Sequence, residues 1–204
     1  MDRDKTIRRG NTRSIKRKKI ITGTGRCGTS FIMHLLSEYG ENTGYTKEEA
    51  EISLTRIHNL NAGLEHAYGG KRIKKSKWIK NPQWIKVVEL NKVIEKYDVD
   101  TVYIPLRDLE ATAKSREYQE KHTHGKYGGF FMGANNTQDQ QVINAVLFYH
   151  LIQYLSEKGI RYRLISFERM THDPRYLFHR LELEDYDKFL DSYNKIIDLN
   201  KIRF

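Results

Sequence analysis

Cysteine, proline and long apolar runs are all scarce in this chain, and each scarcity excludes something. The one cysteine among 204 residues, Cys27, cannot close an internal disulfide, which suits a reducing, cytoplasmic setting better than the oxidising secretory route. Three prolines are too few for a collagen-like chain or a proline-rich disordered one. No stretch approaches the roughly 20 apolar residues that span a bilayer. The opening MDRDKTIRRG lacks the apolar core of a secretory signal, so no membrane partner is expected. What is present is globular: 38% hydrophobic and 30% charged residues, in a length that suits one domain of roughly 100 to 200 residues.

The net charge of +10 is concentrated at one end, because residues 1–19 carry nine Lys and Arg against Asp2 and Asp4. Residues 1–18 are therefore expected to form a flexible basic arm, and residues 19–204 a single α/β domain. Such an arm can bind nucleic acid by counterion release, or can simply be solvated; a nucleic-acid partner is possible but not the favoured reading.

Apolar spacing supplies the order of elements. Lys19 to Thr22 reads as a short buried strand, followed by a glycine-rich turn over Gly23 to Gly28 and a helix that Gly40 and Gly44 close. A helix is expected from Thr46 to about His66 on Ile52, Leu54, Ile57, Leu60 and Leu64. Lys71 to Lys80 is basic and ends in strand character, and Pro82 opens a helix that should turn Trp84, Ile85, Val88 and Ile94 inward. Val99 to Leu106 reads as a strand and Asp108 to Glu120 as a helix. Residues 122–136, with four glycines, form a loop or flap. Thr137 with Gln140 makes a capping-box pattern before an apolar helix through Ala145, Leu147, Phe148, Leu151 and Leu155; a strand over Ile160 to Phe167 and a helix start at Asp173-Pro174 complete the pattern. Strands alternating with helices predict a three-layer, P-loop-like α/β fold with a mainly parallel sheet. Ligands then belong at the carboxyl ends of the strands, where the glycine turn and Arg107 lie.

The turn ITGTGRCGTSF admits three chemistries. Gly23-x-Gly25-x-x-Gly28 matches a dinucleotide fingerprint, but no second strand ending in an acid follows about 20 residues on. Gly23-x-x-x-x-Gly28-Thr29-Ser30 has Walker spacing with Thr29 where the phosphate-binding lysine belongs, which leaves a kinase or other phosphotransferase as the alternative. In the third reading, the amides of Cys27 to Ser30 at a helix N-terminus, the hydroxyls of Thr29 and Ser30, and the charge of Arg26 hold one phosphate group.

On these residues the chain resembles the sulfotransferases that use 3′-phosphoadenosine 5′-phosphosulfate. Their phosphosulfate turn, [K/R]-x-G-T-[S/T], is matched by Arg26-Cys27-Gly28-Thr29-Ser30. Their 3′-phosphate motif, an arginine after a strand and a serine eight positions on, is matched by Arg107 and Ser115. Eight helical steps bring Ser115 back to about 80° from its start, so both could meet one phosphate. Ile165 to Pro174 resembles a strand and D-P segment of bacterial and Golgi-type members, in which Phe167 packs and Glu168 holds a loop.

The resemblance implies a donor of that type, adenosine 3′,5′-bisphosphate as product, no metal, and a hydroxyl or amine acceptor of unknown kind. Gly25, Arg26, Cys27, Gly28, Thr29, Ser30, Arg107 and Ser115 would bind the donor, in two anion pockets facing each other across a nucleoside's width. Arg26 and Lys80, the latter in Lys80-Asn81-Pro82, would stabilise the leaving group. Glu48 or Glu49, about twenty residues after Arg26, would act as base if partial burial raised its pKa. Trp78 or Trp84 is a candidate to stack on adenine. His122-x-His124 has no further ligand at metal spacing. Cys27 reads as a small residue in a tight turn, although its place at a helix N-terminus leaves it open to acidification. The arginine-lysine-glycine element of the cytosolic steroid and phenol enzymes is not found, which favours the bacterial, Golgi and tyrosylprotein types.

Overall fold

The computed structural model describes residues 17–55, 62–126 and 128–198. The expectation of a basic arm falls on residues 1–16, outside this set. Its last two residues belong to the fold instead: Arg17 pairs with Asp98 at 3.2 Å, and Lys18 opens the first strand, its ammonium buried against the carbonyls of Lys74 and Ser76.

Four strands, β1 (Lys18–Ile21), β4 (Trp78–Lys80), β5 (Val99–Leu106) and β6 (Tyr162–Ser166), form an all-parallel sheet in the order β4-β1-β5-β6. Alternation along these strands sorts side chains to two faces, because successive residues of a strand point oppositely. Ile20, Ile79, Val102 and Ile104 face α4 (Val87–Lys96) and α6 (Thr137–Glu157), meeting Leu90, Val93, Leu151 and Leu155. Ile21, Trp78, Tyr103 and Ile165 face the other way, onto α1 (Thr29–Tyr39), α8 (Pro174–Leu181) and α9 (Tyr186–Ile196). The result is the α/β three-layer architecture with a parallel central sheet. Pro105 is tolerated inside β5 because odd-numbered residues there bond toward β1, as Thr22 N–H to Tyr103 O shows, and β1 has ended by then. Among the described residues no helix is long and apolar enough to cross a membrane.

Four expectations need correction. The helix from Thr46 to His66 is only α2 (Lys47–Ile52), followed by a small antiparallel pair, β2 (Leu54–Thr55) and β3 (Ala62–Gly63); residues 56–61, with Ile57 and Leu60, lie outside the described set. Val88 is 70% exposed, because Pro82 to Ile85 is a separate 3-10 turn and α4 restarts with a new rotational phase. The cap of α6 is Asn136, whose side chain accepts from Asp139 N–H, rather than Thr137. Ala145 on the same helix is exposed. The remaining elements are α3 (Lys71–Lys75), α5 (Leu109–Thr123) and α7 (Phe167–His172).

The glycine turn is locked by what packs over it. Gly28 has φ of +89°, and a Cβ there would stand 2.1 Å from Met170 Cε and 3.2 Å from the Phe167 ring. Gly28→Ala is therefore expected to cost about 2 to 4 kcal/mol, combining left-handed strain with overpacking. Urea unfolding measures this directly; a loss below about 0.5 kcal/mol would mean that the α7 packing gives way freely.

Candidate active site

The chain passes from the end of β1 into α1 through residues in the left-handed region, Gly25 (φ +71°), Arg26 (+56°) and Gly28 (+89°). At Gly25 a side chain would collide with the Arg116 guanidinium, 2.4 Å from the added Cβ. Arg26 adopts this conformation without being glycine, at a cost of roughly 1 to 2 kcal/mol. The strain has a geometric return: its carbonyl accepts from Arg107 Nη1 at 3.0 Å and its Nε donates to Ser115 Oγ at 3.2 Å. The turn and the Arg107/Ser115 pair thus meet through Arg26 itself. This differs from two pockets separated by a nucleoside's width; Ser115, buried, lies behind Arg26 rather than on the cavity wall.

α1 begins with no side-chain cap and no acid in its first turn. Its first backbone bond is Ile32 N–H to Gly28 O at 3.1 Å, so the amides of Thr29, Ser30 and Phe31 precede the helical ladder at the positive end of the dipole. Lys80, 1% exposed, sits beside them. Its ammonium donates to Ser30 Oγ at 2.8 Å, to Gly63 O, and to Glu65 Oε1 at 2.8 Å. Burial pushes its pKa down and Glu65 pushes it back up. Ser30 Oγ in turn donates to Gly63 O at 3.2 Å.

Behind Lys80 stands His66, fully enclosed. Its Nδ1 accepts the Lys80 N–H at 3.2 Å and its Nε2 donates to Thr43 O at 2.9 Å, which defines a neutral ring. Burial drives its pKa down to about 4. Asn81 Nδ2 donates to His66 O at 3.1 Å, and Asn81 Oδ1 caps the 3-10 turn through Gln83 N–H at 2.9 Å.

Arg26, Ser30, Glu65, Lys80 and Asn81 line one cavity of about 900 Å³ at the carboxyl end of the sheet. Among the described residues its wall carries five cations, Arg26, Lys80, Arg107, Arg116 and Lys126, against two carboxylates, Glu65 and Asp198. Arg107 stacks over Phe167 at 4.5 Å, and burial lowers its pKa. Phe167 therefore packs as expected, wedged between Arg107 and Gly28, while Glu168 is exposed on the first turn of α7.

Glu48 and Glu49 are not brought to the cavity. Glu48 is exposed on the first turn of α2, where its own backbone N–H and the Thr46 side chain lower its pKa, the reverse of the burial effect a base there needs. Glu49 closes a capping box, accepting the Thr46 N–H at 3.0 Å, and meets Arg72 at 3.4 Å. The carboxylate beside Lys80 is Glu65. Gly63, a breaker inside apolar spacing, is the sequence signal that a helix ends before it. Trp78 and Trp84 are both core residues, Trp78 bonding Glu41 at 2.9 Å, so neither reaches a ligand. Cys27 is fully buried and its thiol is pushed up by desolvation, not acidified by the helix. His122 donates its Nδ1 to Tyr118 O at 2.7 Å and stacks on that ring.

Sequence reasoning also passes over Arg116. It is 6% exposed, donates to Gly129 O at 2.7 Å and to Thr24 O, and burial lowers its pKa to about 10. Glu120 accepts the Phe130 N–H at 3.0 Å and Gln140 accepts the Phe131 N–H at 2.7 Å. Three side chains from α5 and α6 therefore pin the flap, and Arg116 also ties it to the glycine turn.

His66 makes stability depend on pH. The unfolded ring takes its proton near 6.5 and the folded one only near 4, so the unfolded state binds more protons as pH falls between those values. Stability is complete above 6.5 and declines toward 4. Between pH 7.5 and 4.5 the wild type should lose about 2 to 3 kcal/mol more than His66→Asn in urea unfolding; equal losses would exclude His66 as the source.

No family model matches this chain, and no curated protein sequence does so significantly. Solved structures do. A sulfotransferase domain from the curacin biosynthetic pathway superposes with a TM-score of 0.56 at 14% identity, covering 87% of this chain and 77% of that one. Sulfotransferase STF1 from Mycobacterium tuberculosis H37Rv gives 0.55 at 15%, over 93% and 74%. A sulfotransferase domain from the Synechococcus PCC 7002 olefin synthase gives 0.51 at 14%, over 90% and 81%. At these identities the likeness is one of fold: the chain has the fold of sulfotransferase domains.

Proposed function

We propose that this chain is a sulfotransferase that moves a sulfuryl group from 3′-phosphoadenosine 5′-phosphosulfate to a hydroxyl or amine acceptor, with adenosine 3′,5′-bisphosphate as product. The observation that carries this reading is one cavity wall uniting the uncapped start of α1, Arg26, Lys80, Arg107 and the carboxylate of Glu65. The shared fold supports it. The donor, when bound, supplies an activated sulfuryl group on a phosphate leaving group.

The amides at the start of α1 and the hydroxyls of Thr29 and Ser30 suit the 5′ end of such a donor. Arg26 and Lys80 place positive charge where negative charge grows during transfer, and fixed donors in that role are worth roughly 3 to 4 kcal/mol each. Arg26 presents a planar fork and Lys80 a point charge already desolvated. Arg107 offers a guanidinium to the 3′-phosphate, and Ser115, behind the cavity wall, holds Arg26 in place by accepting its Nε–H. Glu65, open to the cavity and bonded to Lys80, takes the acceptor's proton, the role expected of Glu48 or Glu49 from sequence.

Calorimetry should show adenosine 3′,5′-bisphosphate binding without magnesium at least about tenfold more tightly than ADP, and Arg107→Ala weakening it about ten- to hundredfold. Glu65→Gln should leave that affinity within about twofold while lowering turnover about 10²- to 10³-fold. Equal affinity for ADP would overturn the donor assignment, and magnesium-dependent ATP hydrolysis would replace it with phosphotransfer.

A further inference from the structure

A second concavity, of about 440 Å³, shares no lining residue with the candidate active site. It lies along β6, the edge strand of the sheet, and takes its walls from β6, α7 and α8. Four guanidinium groups line it, Arg163, Arg169, Arg175 and Arg180, with His179, Tyr176 and a single carboxylate, Asp173.

Tyr176 organises the group. Its hydroxyl oxygen accepts the Ser166 N–H at 2.8 Å, which fixes the ring against the end of β6. Two arginines stand against that ring, Arg169 at 3.9 Å and Arg180 at 5.4 Å from its centroid. Arg175 stands over Tyr186 at 4.8 Å. A guanidinium stacked on an aromatic ring keeps its N–H edge outward, in the fork that matches two oxygens of a phosphate or sulfate.

The charges around the groove do not balance. Arg169 is answered by Asp173 at 3.0 Å and Arg163 by Glu182. Arg175 and Arg180 have aromatic faces for partners and, among the described residues, no carboxylate. Arg163 Nε is buried and, among the described residues, has no hydrogen-bond partner. Gathering like charges on one wall is unfavourable unless an anion lies among them, and rigid aromatic supports keep these from dispersing.

We propose that this groove is a separate binding site for a phosphate or sulfate group, held chiefly by Arg175 and Arg180 with Arg169 and His179 beside them. It acts independently of the active-site reading, because no residue is common to both.

The test is a nitrogen-15 NMR titration of the full chain with inorganic phosphate, inorganic sulfate and phenyl phosphate, each against chloride at matched ionic strength. The expected result is saturable shifts in the amides of residues 175–180 and in the arginine Nε–H signals. Arg175→Gln with Arg180→Gln, both exposed positions, should weaken those shifts at least tenfold while leaving any response at residues 25–30 unchanged. Phenyl phosphate binding more tightly than the inorganic ions identifies a group carried on a larger ligand; equal binding identifies the free anion. A linear response, an equal response to chloride, shifts confined to residues 25–30, or undiminished binding by the double variant would each overturn the proposal.

Discussion

A desolvated ammonium organises this molecule. Lys80 is removed from water at a cost of several kcal/mol, which only close and complete pairing can offset. A lysine has three N–H donors, and each finds an acceptor: the Ser30 hydroxyl, the Gly63 carbonyl and the Glu65 carboxylate. Those acceptors belong to the first turn of α1, to β3 and to the segment that follows it. One charge therefore joins the end of β4 to the helix after the glycine turn and to a hairpin whose ladder has only two residue pairs. A hairpin that short has little stability of its own, so its position depends on the lysine. His66 completes the arrangement from behind, neutral and accepting the Lys80 amide.

The opposite side of the cavity is held by polar groups of another kind. α5 buries Thr112, Arg116 and Gln119, and α6 beside it buries Gln140 and Asn144. Gln140 and Asn144 bond each other at 2.9 Å, but among the described residues Thr112 Oγ1, both polar atoms of the Gln119 side chain and Asn144 Nδ2 have no partner. An apolar seam would be more stable. The polar one is placed where α5 must hold Ser115 toward Arg26 and the flap toward Thr24. The polar seam therefore lies beside the groups that face the cavity, where packing rules are commonly relaxed in favour of ligand binding.

Much of this was legible before folding. Short apolar runs alternating with helical segments announced a parallel sheet between helical layers, and β5 matches its expected span, Val99–Leu106. Arg107 follows that strand and Ser115 lies eight positions on, and both contact Arg26. The hairpin was not legible, because Ile52, Leu54 and Leu64 fit one helical spacing although Ile52 ends α2, Leu54 opens β2 and Leu64 follows β3. Misreading it hid Glu65, while the resemblance pointed to Glu48, which is exposed, and to Glu49, which closes a helix cap. Val88 was misplaced for a related reason: the 3-10 turn after Pro82 resets rotational phase, and periodicity carries no mark of such a reset.

Local pattern determined the layers, the strand ends, the left-handed glycines and the presence of an anion-suited turn, because each depends on neighbours within a few residues or on the two periodicities of regular structure. Tertiary structure alone decided that Lys80 is buried against Glu65, that Arg116 joins the flap to the turn, that Arg26 links Arg107 with Ser115, and that Trp78 and Trp84 belong to the core. Those outcomes rest on contacts between residues far apart in the chain. A charge's partner and its exposure are set by what folds over it, and one sequence does not record which distant segment that will be.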